Sequence, residues 1–195
     1  MAYKFDPETL ASICGEVLDA PLETGERFDA LIEKLSATYP DLIENRRRRW
    51  IATKAGGILG KISFLYMGLS EYLLIFGSPA ATDGYTGRYN FVDVYKVVLA
   101  GRYLTYDLET DQIAPTIYEP GDLSWMKRGH ARGLQIEAGS WHLEYGRGIT
   151  ITAIPFGTLD TIMSLAFRPL LMATGEFAAL IRGNLRRRRA RRGLR

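Results

Sequence analysis

Between residues 84 and 155 turn residues cut the chain into short lengths, and this limits the available folds more than any other feature. The breaks fall at Ala100-Gly101, Glu109 to Gln112, Pro120-Gly121, Gly129, Gly133, Gly139, Gly146 and Gly148. The pieces between them are rich in Val, Ile, Thr, Tyr and Trp, whose branched and aromatic side chains suit a pleated, half-buried surface. Short strands at this spacing predict a small antiparallel barrel or jelly roll. The segment YEPGD at 118–122 reads as a strand–turn–strand corner of the cupin type.

The flanks read as helical. Asp6, Pro7 and Glu8 give a cap, a first-turn proline and a first-turn acid, and Leu10, Ile13, Val17 and Leu18 follow at helical spacing. Thr24 is placed to cap a second helix carrying Phe28, Leu31, Ile32 and Leu35, which Pro40 ends. The stretch 51–77, IATKAGGILGKISFLYMGLSEYLLIFG, reads as a long buried helix, with Gly56 and Gly60 spaced to allow close helix or subunit contact. After Pro155, Leu159, Ile162, Met163, Ala166 and Phe167 form one stripe, and Pro169 opens a segment ending at Leu180 and Ile181. The expected layout is one α+β domain over 1–195. A helical region occupies 1–80, a barrel 84–155, two helices 156–182 and a polybasic tail 183–195.

Composition narrows the class. With 47% apolar and 24% charged residues the chain is globular rather than disordered. Its one cysteine, Cys14, excludes an internal disulfide and falls in a helical apolar pattern, as core filler would. The net charge of +3 is uneven: the last 14 residues hold 8 arginines and no acid, and the remainder has 17 basic against 22 acidic residues. The basic character therefore belongs to the tail. Two apolar helices followed by such a tail suit a membrane surface, where each arginine near anionic lipid adds about 1 kcal/mol. Core-covering helices with a solubilising tail, or nucleic acid binding, are the alternatives. The last is disfavoured because no basic stripe interleaves with stacking aromatics in the barrel segment. The run RRRRW at 46–50 suits a solvated face or anionic lipid. The opening MAYKFDPETL has early acids and no apolar core, so no secretory signal is expected there. The apolar stretch 62–76 is short for a membrane span and contains Glu71.

Candidate chemistry reduces to carboxylates. The two histidines, His130 and His142, are 12 residues apart and offer no metal constellation; GYTGRY and GRG are turn glycines, not a phosphate loop. In WHLEYGRG, Trp141, Leu143 and Tyr145 fall on one strand face, and His142 and Glu144 on the other. Gly146 and Gly148, on the Glu144 face, would leave room beside the acid. Asp93, inside FVDVYKVV, is the second candidate, and Glu71 another. A carboxyl buried in apolar surroundings either rises in pKa and acts as a general acid or holds a cation; the alternative for each is an ordinary solvent-facing strand residue.

Several stretches resemble the Erg2 and sigma-1 receptor family in order and spacing: AGGILG (55–60), LSEYLLIFG (69–77), GYTGRY (84–89), EPGD (119–122), WHLEYGRG (141–148) and IPFGTLDT (154–161). The resemblance covers roughly residues 50–165 and leans, through MKRGHARG and IPFGTLDT, toward the sterol isomerase branch. It implies a cupin-like barrel closed by helices, two C-terminal helices on a membrane, a homotrimer and an occluded apolar pocket. Glu144 would hold a ligand's ammonium in receptors and serve proton transfer in isomerases. Tyr72, Phe76, Tyr89 and Tyr103 are implied to line the pocket, with Glu71, Trp141 and Ile154 as further contacts, although alternation sets Trp141 on the face opposite Glu144. The second acid falls near Asp93 by the isomerase pattern and near Tyr95 or Lys96 by the receptor pattern; Asp93 is the choice. Ser124-Trp125 stands where the isomerase branch tends to carry histidines. The family's N-terminal transmembrane helix has no counterpart, which leaves membrane attachment to the C-terminal helices and tail. The implied location is peripheral, on the cytoplasmic side of the endoplasmic reticulum or of a bacterial inner membrane. The implied activity is sterol Δ8–Δ7 isomerisation, in which a carboxylic acid protonates the double bond, a carboxylate removes a proton and aromatic faces steady the cation. It needs no cofactor. The alternative is a non-catalytic binder of cationic amphiphiles or sterols.

Overall fold

The computed structural model describes residues 3–45 and 48–193, with side chains at all of these except 154–157, 185 and 187–193. Asp6 caps α1 (Pro7–Leu18), its carboxylate accepting the Thr9 N–H at 2.9 Å. In α2 (Thr24–Thr38) the cap is Glu23 rather than Thr24, and the Glu26 carboxylate reaches back to the Glu23 N–H at 3.1 Å. Both helices turn their apolar stripes inward. Cys14 is fully buried among them, and burial pushes its thiol pKa up to about 12, as suits core filler.

Residues 51–77 depart from the helical reading. They form three strands, β1 (Ile51–Ala55), β2 (Ile58–Met67) and β3 (Glu71–Ser78). Gly56 and Gly57, at φ 59° and 91°, make the two-residue hairpin joining Ala55 to Ile58. Gly60 serves sheet packing, since a Cβ there would strike the Gly77 carbonyl on β3. The pattern misled because β3 is buried on both faces, and a strand covered twice shows a continuous apolar run instead of alternation. The helical region therefore ends with α2, and the strands begin at residue 51 rather than 84.

Seven more strands follow: β4 (Thr82–Tyr85), β5 (Val92–Ala100), β6 (Tyr103–Asp107), β7 (Thr116–Tyr118), β8 (Leu123–Met126), β9 (Arg132–Ile136) and β10 (Ser140–Gly148). They complete two antiparallel sheets, ordered β1-β2-β3-β10-β5-β8 and β4-β9-β6-β7. The result is an antiparallel β-sandwich with flanking helices; among the described residues no ladder joins the two sheets into the closed barrel expected. The YEPGD segment carries the chain from β7 in the smaller sheet to β8 in the larger, a corner as predicted.

The larger sheet is covered on both faces. Helices α1 and α2 pack on one, against Leu65, Leu73, Ile75, Val97, Leu99, Leu143 and Tyr145. The other face turns toward the smaller sheet and the C-terminal helices. After a 3-10 turn at Thr150–Ala153, α3 (Ile154–Met163) packs on β1, and α4 (Phe167–Gly193) on β1 and β2. Asn184 donates to the Met67 carbonyl at 2.7 Å, and Arg49 pairs with Glu176 at 3.7 Å, so α4 is tied to the sheet. The polybasic segment expected as a tail continues α4 to Gly193. Arg46 and Arg47 of the RRRRW run lie outside the described residues. Among the described residues no helix is long and apolar enough to cross a membrane.

Glu71 fastens the N-terminal segment to this frame. It is 1% exposed and accepts from the Lys4 N–H at 2.7 Å, the Phe5 N–H at 3.2 Å and the Tyr145 hydroxyl at 2.9 Å. Truncating it strands three donors away from water, each costing about 1–3 kcal/mol. Glu71→Ala is expected to lower the unfolding free energy by about 3 kcal/mol in urea titration and to speed amide exchange at residues 4 and 5.

Candidate functional site

Strand β10 runs between β3 and β5 in the centre of the larger sheet, and its alternation divides its side chains between two environments. Trp141, Leu143 and Tyr145 pack on the helical side, Trp141 against Phe28 and Trp50. His142 and Glu144 face the opposite way, as predicted. On β3 the residues on that side are Tyr72, Leu74 and Phe76, and on β5 Val94, Lys96 and Val98; Glu144 lies directly across from Lys96. Together with β1, β2, the smaller sheet and the C-terminal helices they bound a cavity of about 340 Å³, within the size range of small-molecule sites. Its lining is mainly apolar and aromatic, with Ile62, Phe64, Met67, Leu74, Phe76 and Phe177 among the contributors.

Glu144 is the acid in the described lining, and its carboxylate is held by three groups. The Tyr72 hydroxyl donates to Oε1 at 2.8 Å, His142 Nε2 lies 3.2 Å from Oε2, and Lys96 Nζ lies 3.5 Å from Oε2. Burial alone would raise the Glu144 pKa. The Lys96 charge, then the His142 and Tyr72 contacts, outweigh it and hold the carboxyl down to about 2. Burial likewise lowers the His142 imidazole to about 4 despite the neighbouring carboxylate. At neutral pH the site is therefore an ion pair, Glu144 with Lys96, beside a neutral imidazole that donates from Nε2 and whose buried Nδ1 has no hydrogen-bond partner among the described residues. Burial and the Glu144 charge push the hydroxyls of Tyr72, Tyr89 and Tyr103 above the ordinary phenol value, so all three remain protonated.

The room left by Gly146 has an occupant. A Cβ at 146 would collide with the Tyr72 ring, so the glycine admits the tyrosine that donates to Glu144. At Gly148, with φ 137°, a Cβ would meet the Phe91 carbonyl. Neither position widens the cavity beside the acid in the way the sequence suggests.

Of the other predicted residues, Tyr72, Phe76 and Tyr89 line the cavity. Tyr103 stands behind it, its ring edge-on to His142 at 5.1 Å. Trp141 and Glu71 lie on the helical side, away from the cavity. Ile154 begins α3, and its side chain lies outside the described residues. Asp93 is not brought to Glu144. It points to the helical side of β5, where it accepts from the Arg128 N–H at 2.9 Å and from Arg128 Nη2 at 2.6 Å, and that residue holds its pKa below the usual carboxylate range against the effect of burial. The residues that sequence reasoning passed over are Lys96, named only as a register alternative, and His142, weighed only as a metal ligand. Parity was the available signal: positions 93 and 96 on one strand face opposite ways, so only one can share a face with Glu144. Among the described residues no His, Cys, Asp and Glu cluster is arranged to hold a metal ion.

Comparison with known proteins finds relatives over most of the chain. A family model described as "ERG2 and Sigma1 receptor like protein" matches residues 1–188. The sigma non-opioid intracellular receptor 1 of Gallus gallus is 31% identical over 83% of this chain and 71% of its own length. The C-8 sterol isomerase erg2 of Aspergillus fumigatus is 31% identical over 88% of this chain and 71% of its own. Among solved structures, an RmlC-like cupin from Shewanella frigidimarina overlaps 53% of this chain and 85% of its own, at 12% identity and a TM-score of 0.43. With the family model spanning nearly the whole chain, this protein belongs to the ERG2 and sigma-1 receptor family.

Proposed function

We propose that the cavity holds a sterol-sized, largely apolar ligand with its polar end against Glu144. One observation carries this reading: among the described residues one carboxylate, fixed by Tyr72, His142 and Lys96, stands on the wall of a roughly 340 Å³ apolar cavity. Relatives named as a sterol isomerase and as a receptor both accord with such a ligand. Trimeric assembly, implied by the family resemblance, belongs to the same proposal.

Turnover is the second reading, and the position of Glu144 favours it. An ionised carboxylate beside Tyr72 and Tyr89 suits a proton acceptor and a counter-charge for a carbocation during double-bond transposition. The donor half is harder to supply. Glu144 at neutral pH has no proton to give, and Asp93 lies on the other side of the sheet. Binding without turnover is therefore preferred. Purified protein incubated with a Δ8 sterol is expected to return it unconverted from the bound fraction on extraction and chromatography. Conversion in wild type that Glu144→Gln abolishes would establish turnover instead.

The cavity's helical wall suggests how an apolar ligand arrives. Pro169, Leu170, Ala173 and Phe177 of α4 face inward, while Met163, Leu165, Phe167 and Leu171 are exposed nearby, Met163 by 81%. An exposed apolar surface next to an apolar cavity suits contact with the acyl boundary of a membrane, and the arginines of α4 suit an anionic one. Replacing both Met163 and Leu171 by Asp is expected to weaken co-sedimentation with anionic vesicles by about tenfold or more. Unchanged sedimentation would remove this face from the proposal.

The site also sets a pH dependence. The His142 pKa drops on folding from 6.5 to about 4, and the Glu144 pKa from 4.5 to about 2. In both windows the unfolded chain binds a proton that the fold refuses, so both contributions are complete above about pH 6.5 and are lost as pH falls toward 2. His142→Gln keeps a donor for Glu144 and removes the upper window. The fall in its urea midpoint between pH 6.5 and 4 is expected to be shallower than that of wild type.

A further inference from the structure

We infer that Lys96 is a built-in cation that turns this cavity toward uncharged, hydroxyl-bearing amphiphiles and against amines. The inference rests on the ligand-binding reading above and specifies the chemistry of the ligand's polar end.

Lys96 is 16% exposed at its side chain, as is Glu144, and both line the cavity. Cross-strand register fixes them opposite each other on one face of the sheet, so the ammonium stands beside the carboxylate by backbone geometry. Among the described residues Lys96 Nζ has one partner, Oε2 of Glu144 at 3.5 Å. An ammonium has three N–H groups, so two remain to be satisfied from the cavity side. They call for an acceptor oxygen.

The charge balance decides what carries that oxygen. Glu144 and Lys96 cancel, and His142 is neutral, so the site has no net charge to offer a ligand. A ligand ammonium seeking Glu144 would meet the Lys96 ammonium already there, in surroundings that screen poorly. A ligand carboxylate would accept from Lys96 but lie against Glu144. A hydroxyl fits both neighbours, accepting from Lys96 and donating to the remaining lone pairs of Glu144. Its apolar body then occupies the space between Leu74, Phe76 and Phe177.

Decanol, decylamine and decanoate share one chain length and differ in head group. Calorimetric titration of the full chain at pH 7 with all three is expected to rank decanol first, with decylamine at least about tenfold weaker. Lys96→Met leaves Glu144 held by Tyr72 and His142 and removes the positive charge that faces it. Decylamine affinity is expected to rise at least about tenfold in that variant while decanol weakens. Wild type binding decylamine as tightly as decanol would overturn the inference whatever the variant does, and so would an unchanged amine-to-alcohol ratio in a folded Lys96→Met or Lys96→Gln. Failure of all three probes to bind wild type would instead remove the ligand-binding reading, and this inference with it.

Discussion

The period-two alternation of β10 is the constraint on which the structure depends. This strand lies in the interior of a sheet covered on both faces, so each residue along it belongs either to the helical core or to the cavity wall. A slip of one residue would exchange the two sets, sending Glu144 into the packing around α1 and α2 and Tyr145 into the cavity. The same alternation on β3 and β5 selects Tyr72 and Lys96 as its neighbours, because antiparallel pairing places same-face residues side by side.

Three acids, Glu71, Asp93 and Glu144, show how local partners divide structural from chemical roles. Glu71 accepts two backbone N–H groups and the Tyr145 hydroxyl, which ties the chain's start to the sheet. Asp93 is gripped by Arg128, whose own side chain is half exposed, so the pair is a clasp at the protein's edge. Glu144 alone is both charged and adjacent to free volume. Burying it carries a desolvation cost that its three contacts offset, and a carboxylate held ionised in this way can face positive charge but has no proton to give at neutral pH.

Much of this was legible in the sequence. The caps and stripes of α1 and α2, the short strands and corner after residue 84, and the orientation of Glu144 follow from local spacing, which backbone geometry converts directly into structure. The strands at 51–77 were not legible, because a twice-covered strand loses the alternation that distinguishes it from a buried helix. The role of Gly146 was hidden because its space is filled from another strand, by Tyr72, at a distance of 74 positions along the chain. Lys96 was hidden for a related reason. A lysine inside an apolar strand reads as a surface residue until pairing sets it opposite a buried acid.

The fold and the side chain at position 96 make separate contributions to the site. The sandwich, the acid on β10 and the tyrosine beside it would hold a positively charged ligand if the facing position on β5 were neutral or acidic. A lysine there places the positive charge within the protein itself. Neither choice of residue requires a change in the backbone, since any side chain at this register follows the same cross-strand vector. What the lysine sets is the electrostatic sum at the polar end of the cavity, a matched pair in place of one unmatched negative charge. In a medium of low polarity, that sum decides which head group enters more strongly than the shape of the apolar walls does.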